Sequence, residues 1–285
     1  MHLRQLLLLG KPRISLPVTL SALTGFLLYS GAFAGAWIQT VLGVFLMSFA
    51  SSAINQVQEA GIDRRMDRTR HRPIPTGRVK PYQAVLVAQF TGLAGFLLLV
   101  QPQSSGLPAI LGVAALTCYN LIYTPLKKVT AFAVLPGALV GALPPLIGWT
   151  AAGGSLWHMH ILLVGFFFFV GQIPHFWLIQ LRHGPDYARA GLPVLDELFS
   201  RRQIQVLTLG WVAATAMAAI LLPLFGVIRL PLAAATVYLA TLWLLWSFRH
   251  WLVRPRNTDP ERAFRAINFY YLSIMLVLVA DALFF

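Results

Sequence analysis

Residues 37–72 read WIQTVLGVFLMSFASSAINQVQEAGIDRRMDRTRHR, and this stretch decides the fold class. Residues 37–58 carry no charged side chain, and a helix needs about 20 mostly apolar residues to cross the hydrocarbon core of a bilayer. Three carboxylates and five arginines then follow within residues 59–72. The stretch therefore predicts a transmembrane helix that ends in a densely charged loop.

The same alternation of apolar runs and short polar gaps continues along the chain. Hydrophobic residues make up 58% of it and charged residues only 11%, whereas soluble domains carry roughly 25% charged residues. We predict one all-α domain over residues 1–285, a polytopic membrane bundle of about nine transmembrane helices. The predicted helices lie near 14–34, 37–58, 82–101, 107–124, 130–151, 157–181, 203–225, 228–249 and 264–284.

The charged residues gather on one predicted side of the bilayer. With the N-terminus in the cytoplasm, 21 of the 22 Lys and Arg residues fall on the cytoplasmic side, and only Arg229 does not. Eight of the nine acidic residues lie there too, and Asp281 has no evident role. Positive charge marks the cytoplasmic face, so we expect an integral plasma (inner) membrane protein with its site at that face. Because the basic residues occupy short gaps between apolar runs, the net charge of +13 does not indicate a nucleic-acid partner.

Two further features limit the class of protein. Cys118 is the only cysteine, which excludes an intrachain disulfide and a paired-thiol metal site. The apolar run from Ile14 is long enough to span the bilayer and lacks a convincing small-residue cleavage site. We therefore expect it to be a retained first helix.

Asn55, Glu59 and Asp63 are spaced by four residues, so on a helix they lie along one stripe that drifts about 40° at each step. Carboxylates aligned in this way repel one another unless a cation lies among them. Oxygen ligands with one or two carboxylates suit a Mg²⁺ ion that also holds substrate phosphates. The alternative is a solvated loop in which the carboxylates balance arginines, and Gly61 is the place where the helix would break.

A second constellation surrounds Pro174, His175 and Asp186. Pro174 is expected to kink the sixth predicted helix, because proline lacks an amide donor and clashes with the preceding turn. An ionisable residue such as His175 near a helix end inside the membrane is a functional candidate. It would serve as an acid or base, a metal ligand or a diphosphate donor, or else as an interfacial histidine bonded to a carbonyl. Asp186 is a second metal ligand or a plain loop residue.

Other residues also have both functional and structural interpretations. Lys127 and Lys128 would face an anion or serve only as topology charges. His158 and His160 lie on the opposite side and favour a structural role. The aromatic run Phe166–Phe169 indicates packing or lipid contact, with an isoprenoid-binding wall as the less favoured alternative.

In their order along residues 8–197, the motifs resemble those of the UbiA-type intramembrane prenyltransferases. The Pro-His-Phe-Trp and Asp-Tyr elements resemble the branch of that family that acts on heme. The matching segments are Lys11–Arg13, Asn55–Thr69, Arg72–Arg78, Tyr123–Lys128, Gly141–Trp149, Pro174–Trp177 and Asp186–Gly191.

The resemblance implies roles for individual residues. A Mg²⁺ ion that bridges farnesyl diphosphate would be held by Asn55, Glu59 and Asp63. The second acidic motif of the family corresponds to His175 and Asp186, which with Asp63 form the expected catalytic set. The cations expected to neutralise the leaving diphosphate are Arg68, Arg72, Lys127 and Arg182.

The implied reaction transfers a farnesyl group from farnesyl diphosphate to a vinyl group of heme B and gives heme O. The bilayer surrounds the enzyme, and transient contact with a heme A synthase or with terminal oxidase assembly is a further hypothesis. The alternatives are transfer to an aromatic quinone precursor, or a non-catalytic heme-handling or transport protein. Transporters place ionisable residues near the bilayer midplane, whereas here they cluster at the helix ends, which favours an active site at one mouth.

The charge distribution predicts that Arg70 faces the cytoplasm. In an Arg70→Cys variant that also carries Cys118→Ala, the new thiol should react with a membrane-impermeant maleimide only after the cells are permeabilised. Labelling of intact cells from the outside would overturn the predicted orientation.

Overall fold

The secondary structure in the part of the chain that the computed structural model describes, residues 3–101, 104, 106–253 and 259–285, is helical. Eight helical segments there are long and apolar enough to cross a membrane, and the bent pair α1–α2 makes a ninth. The predicted all-α membrane bundle is therefore confirmed. The helices are α1 Leu3–Leu9, α2 Pro12–Ser30, α3 Trp37–Gln58, α4 Ala60–Asp63, α5 Pro81–Leu99, α6 Leu107–Thr117, α7 Thr124–Leu126, α8 Val134–Ala151, α9 Met159–Arg189, α10 Arg201–Leu224, α11 Pro231–Val253 and α12 Pro260–Phe284.

The start of the chain differs from the prediction of a single helix over 14–34. A short helix precedes the first span, and the two axes meet at 59°. Lys11 lies at the bend with a positive φ of 47°, a left-handed conformation that residues other than glycine rarely adopt. Pro12 then begins α2, where its fixed φ suits the first helical position and its missing amide costs no bond.

The sixth predicted helix is longer than 157–181, because α9 continues to Arg189. The backbone of α9 leaves helical dihedrals at His183, with φ −117° and ψ 19°, whereas the kink predicted at Pro174 stays a prediction. His183 lies two residues before Pro185, which removes an amide donor and restricts the residue before it. Two residues of the charged gap predicted before the last helix, Arg254 and Arg256, lie outside the described residues.

The long helices follow one another around the bundle, and the last returns to the first. Each of them packs against its neighbour in the chain, and α12 closes the ring against α2. Further contacts cross the ring, among them those between α2 and α8 and between α9 and α12. The polar loops that follow α3, α7 and α9 and precede α12 thus meet at one end of the bundle.

Close approach of α2 and α8 depends on two glycines. A Cβ atom at Gly25 would collide with the carbonyl oxygen of Pro145, and one at Gly148 would collide with that of Ala22. Small residues let the backbones of membrane helices approach closely, which strengthens van der Waals packing where lipid provides no hydrophobic drive. The pair therefore fixes the crossing of these two helices.

Asp281, which had no role in the sequence, is a buried helix cap. Its side chain is 2% exposed. The carboxylate accepts hydrogen bonds from the amides of Arg229, at 3.0 and 3.1 Å, and of Leu230, at 2.8 Å. These amides lie just before α11, whose first-turn donors have no partner within the helix, so the carboxylate serves the fold at the end opposite the acidic stripe.

The histidines and phenylalanines that had open roles contribute to packing. His158 Nδ1 accepts a hydrogen bond from the amide of His160 at 3.2 Å and caps the start of α9. Phe167 and Phe168 are buried, and their rings lie 5.3 and 6.0 Å from that of Tyr271 on α12. The structural interpretation of these residues is confirmed.

We expect Gly148→Ala to lower the free energy of unfolding by at least about 1–3 kcal/mol, because the new methyl group meets backbone that cannot move aside. Thermal unfolding in detergent measures the change. Gly210→Ala is the matched control, since nothing lies within 4 Å of a Cβ atom there and alanine favours the helix by up to about 1 kcal/mol. Equal stability of both variants would contradict the close crossing of α2 and α8.

Candidate active site

The stripe of Asn55, Glu59 and Asp63 continues across the break between α3 and α4. α3 ends at Gln58, and Glu59 takes φ −104° and ψ 2° before α4 begins. Even so, the amide of Glu59 donates to the carbonyl of Asn55 at 3.0 Å, and that of Asp63 donates to the carbonyl of Glu59 at 2.8 Å. These bonds keep all three side chains on one face, so the break lies at Glu59 rather than at Gly61.

All three stripe residues are buried. Asn55 is 1% exposed, Glu59 4% and Asp63 2%. Ionised or strongly polar groups at such depth require partners, because their desolvation is costly. The solvated-loop interpretation is therefore wrong.

Both carboxylates of the stripe meet a basic side chain from a different segment. The Arg72 guanidinium donates through Nη1 to both oxygens of Asp63, at 2.9 and 2.7 Å. The Lys127 ammonium contacts the carboxylate of Glu59. Two cations that the sequence assigned to diphosphate thus lie directly on the two carboxylates that it assigned to a metal.

The stripe amide is held by a lysine that the sequence analysis did not place in the site. Lys11 Nζ donates to Asn55 Oδ1 at 2.6 Å, while Asn55 Nδ2 donates to Thr124 Oγ1 at 3.0 Å. The only sequence signal for Lys11 was the Lys-Pro-Arg element at the start of the first span. In the sequence, a lysine at that position that binds Asn55 cannot be distinguished from one that only marks the cytoplasmic side.

Glu59 and Lys127 form a tightly coupled pair. Burial opposes ionisation of the Glu59 carboxyl, but the nearby charges of Lys127 and Lys11 outweigh it and hold its pKa below the ordinary value. Burial likewise opposes the charge on Lys127, and Glu59 outweighs it, so the pKa of this lysine is raised. Both groups are therefore charged at neutral pH, and the site contains an ion pair rather than two neutral groups.

A row of aromatic rings leads from this ion pair toward α9. The ring centroids of Tyr119 and Tyr123 lie 5.3 Å apart, and that of Phe176 lies 5.7 Å from Tyr123. Lys127 Nζ lies 5.9 Å from the centre of the Tyr123 ring. The row presents π faces close to the charged groups, where they would stabilise a cation.

His175 lies beside Phe176 but contacts α12. Its ring is 5.0 Å from that of Phe264, and the side chain of Asn268 lies close to it. Within the described part of the chain, no three His, Cys, Asp or Glu side chains gather as a metal site. The described neighbours of His175 are thus Phe176 on its own helix and side chains of α12.

Arg182 also points to α12. Its Nη2 lies 3.2 Å from Glu261 Oε1, and its guanidinium lies 5.8 Å from the centre of the Phe264 ring. Both partners of this ion pair are partly exposed, at 34% and 48%, so the pair contributes little to stability. Arg182 is therefore able to exchange Glu261 for another anion.

Asp186 joins the two large polar loops. It accepts a hydrogen bond from the amide of Arg68 at 3.2 Å, and its other oxygen lies 3.5 Å from Arg189. Arg189 in turn donates to Asp67 at 2.5 Å, and this bond with the guanidinium holds the pKa of Asp67 below its usual range. Asp186 thus holds the arginine-rich loop against the end of α9, although the two segments are more than 100 residues apart in the chain.

The structure places the predicted site residues in three groups at one end of the bundle. The first is the buried stripe with its cations, and the second is the docked pair of loops around Asp186 and Arg68. The third is His175 and Arg182, which lie against α12. The site prediction did not include α12, yet it contributes Glu261, Phe264 and Asn268.

The sequence is similar to those of known proteins over most of its length. The family model described as the UbiA prenyltransferase family matches residues 17–274. The protoheme IX farnesyltransferase of Oleidesulfovibrio alaskensis is 38% identical over 271 residues, which cover 95% of this chain and 94% of that protein. The protein of the same name from Geobacter sulfurreducens is 42% identical over 224 residues, which cover 78% of this chain and 82% of that protein.

The fold is shared with solved structures of low sequence identity. A UbiA homolog from Archaeoglobus fulgidus, in a structure with GPP and Mg²⁺ bound, superposes with a TM-score of 0.72. It is 14% identical, and the match covers 99% of this chain and 100% of that one. At that identity, the likeness establishes the fold.

We expect Arg72→Met to lower the free energy of unfolding by about 3–5 kcal/mol, because it leaves the carboxylate of Asp63 buried without its counter-charge. Thermal unfolding in detergent without added substrate measures the change. Arg70→Met is the matched control: its ion pair with Asp67 is more than half exposed on both sides, so its loss should cost no more than about 1 kcal/mol. Equal effects would contradict the buried pair.

Proposed function

Because the chain belongs to the UbiA prenyltransferase family, we propose that it transfers a farnesyl group from farnesyl diphosphate to a vinyl group of heme B, giving heme O. The single observation that carries the chemistry is the buried stripe of Asn55, Glu59 and Asp63, in which each carboxylate is paired with a basic side chain from another segment. The names of relatives that match most of the chain support the choice of heme as acceptor.

The residues of the stripe fit a Mg²⁺ ion. The donor set is one amide oxygen and two carboxylates, all hard oxygen ligands, and Mg²⁺ is usually held by one or two carboxylates together with substrate phosphates. Both carboxylates already carry positive partners, Arg72 on Asp63 and Lys127 on Glu59, so the site is arranged to bind positive charge. When bound, the ion would supply Lewis-acid stabilisation of the diphosphate oxygens.

The two cations on the stripe would change partners when the substrate binds. Arg72 and Lys127 now neutralise Asp63 and Glu59. A diphosphate would take over these donors, and Arg68 and Arg182 would complete the set from the loop and from α9. Positive groups that are preset where negative charge develops lower the barrier to ionisation, because they need no reorganisation during the reaction.

The reaction breaks the C1–O bond of farnesyl diphosphate, and the diphosphate leaves with the bonding electrons. The heme vinyl group donates its π electrons to C1, which forms the new C–C bond and leaves a cation beside the porphyrin. Water adds to that cation and loses a proton, which gives a hydroxyethylfarnesyl group. The rings of Tyr123 and Phe176 lie where they would stabilise the allylic cation and keep bulk water away from it.

We assign positioning roles to the second motif. Asp186 holds the loop that carries Arg68 through one oxygen, and its other oxygen lies 3.5 Å from Arg189 on its own helix. His175 would orient the acceptor or donate a hydrogen bond from its place beside Phe176. A role of either residue in metal binding is not needed to complete the magnesium ligands described above.

We also propose a membrane location for the protein and a recipient for its product. The protein would lie in the plasma (inner) membrane with this end of the bundle in the cytoplasm, where most of its positive charge gathers. The product is an apolar heme, so the enzyme that uses it would receive it within or beside the bilayer. A heme A synthase or an assembling terminal oxidase is the proposed recipient.

The purified protein should convert heme B and farnesyl diphosphate to a heme that carries a hydroxyethylfarnesyl group, detected by mass spectrometry. The product should require Mg²⁺ and disappear when a chelator is added. Prenylation of an aromatic quinone precursor in the same assay, with no change to heme, would contradict heme as the acceptor. It would still agree with membership of the prenyltransferase family.

Asp63→Asn should abolish turnover, with a loss of at least about a hundredfold, because it removes a negative ligand from the buried stripe. The variant should stay folded in detergent, as judged by size-exclusion chromatography. Asp196→Asn is the matched control, since Asp196 is exposed at the same end of the bundle and should leave turnover unchanged. Turnover of Asp63→Asn near that of the unchanged protein would overturn the assignment.

A further inference from the structure

A cleft of about 500 Å³ opens between α11 and α12, apart from the candidate active site. The residues of α12 that line it are different from those that contact His175 and Arg182. The side chains that matter here are Trp243, Trp246, His250, Arg262, Arg265 and Phe269.

The polarity of the cleft changes along its length. His250 on α11 and Arg262 on α12 lie near the helix ends that carry the polar loops. Trp243 and Phe269 lie seven residues further along each helix, which is about 10 Å at the rise of an α-helix. Their rings meet edge to face at 5.4 Å and form an aromatic end to the cleft. The cleft is therefore cationic at the membrane surface and apolar below it.

The positive charge of the cleft is largely uncompensated. Arg262 is exposed and forms no ion pair with any residue that the structure describes. Arg265 has only a 3.7 Å contact with Glu261, in which both side chains are about half exposed or more. The one carboxylate that lines the cleft, Asp259, already accepts hydrogen bonds from the first amides of α12, at 2.9 and 3.1 Å. An anion would find free donors in this cleft.

The aromatic end faces the surroundings of the bundle. Trp246 is 55% exposed and carries the Arg249 guanidinium 3.7 Å from its ring centre, and Phe269 is 60% exposed, so both rings border the lipid of a membrane. Tryptophan is enriched at this depth, where its ring lies at the level of the headgroups. Lipid is also the most concentrated solute at this surface, so even a weak site would be occupied by mass action.

We propose that the α11–α12 cleft is a binding site for an anionic phospholipid. The phosphate lies against Arg262 and Arg265, with His250 at the rim, and the first acyl methylenes lie on Trp243 and Phe269. Basic pockets between transmembrane helices on the cytoplasmic side bind lipid headgroups of this kind. This site is separate from the proposed prenyl transfer and does not depend on it.

Native mass spectrometry of the full chain in detergent, titrated with phosphatidylglycerol, tests the site, and phosphatidylcholine with the same acyl chains is the reference lipid. The unchanged protein should bind phosphatidylglycerol in preference to phosphatidylcholine. The variant Arg262→Gln/Arg265→Gln should bind phosphatidylglycerol about thirtyfold more weakly, because each arginine near an anionic headgroup contributes about fivefold. Arg262→Lys/Arg265→Lys keeps the charge and should retain most of the preference.

Arg201→Gln/Arg202→Gln is the matched control, since it removes two exposed arginines from the same end of the bundle but outside the cleft. It should retain the preference for phosphatidylglycerol. An equal loss in both Gln variants would mean general attraction to a positive surface and would overturn the site. Hemin that displaces phosphatidylglycerol from the unchanged protein but not from the cleft variant would also overturn it, because the occupant would then be a porphyrin.

Discussion

A carboxylate buried at the end of a membrane helix must carry a counter-charge, and much of this site follows from that requirement. Glu59 and Asp63 are almost fully excluded from solvent, so the protein brings Lys127 and Arg72 to them from separate segments. Lys127 follows α7, and Arg72 lies in the loop after α4. Because two desolvated carboxylates need positive partners, these segments must lie next to them. The same two basic side chains are then already present where a diphosphate would bind.

The same end of the bundle is assembled from contacts distant in sequence. Asp186 receives the amide of Arg68, and Arg189 joins Asp186 to Asp67, so that the two polar loops form one cap. α12 then closes the other side through Glu261 and Asn268. Residues of α3, α4, α9 and α12, together with the polar loops between the helices, therefore define one mouth, while the rest of each long helix is apolar and serves mainly to span and pack.

Local sequence predicted the features that depend on local chemistry. The length of apolar runs predicted the spans, and the four-residue spacing from Asn55 to Asp63 predicted a stripe that the backbone hydrogen bonds confirm. The contacts of Lys11 and Glu261 were not predicted. In the sequence, a charged residue at a helix end that only faces the cytoplasm cannot be distinguished from one that contributes to a site. The departure from helical dihedrals at His183 was not predicted, although the Gly184-Pro185 pair that follows it disfavours a regular helix.

The closing position of α12 bears on how the protein is made. α12 is synthesised after α2 to α11, and it supplies the side chains that flank His175 and Arg182 and packs against α2. Until that helix enters the bilayer, one wall of the mouth faces lipid and Arg182 lacks its acidic neighbour. The nascent chain therefore carries α2 to α11 without a complete reaction chamber, and binding competence arrives only when α12 inserts.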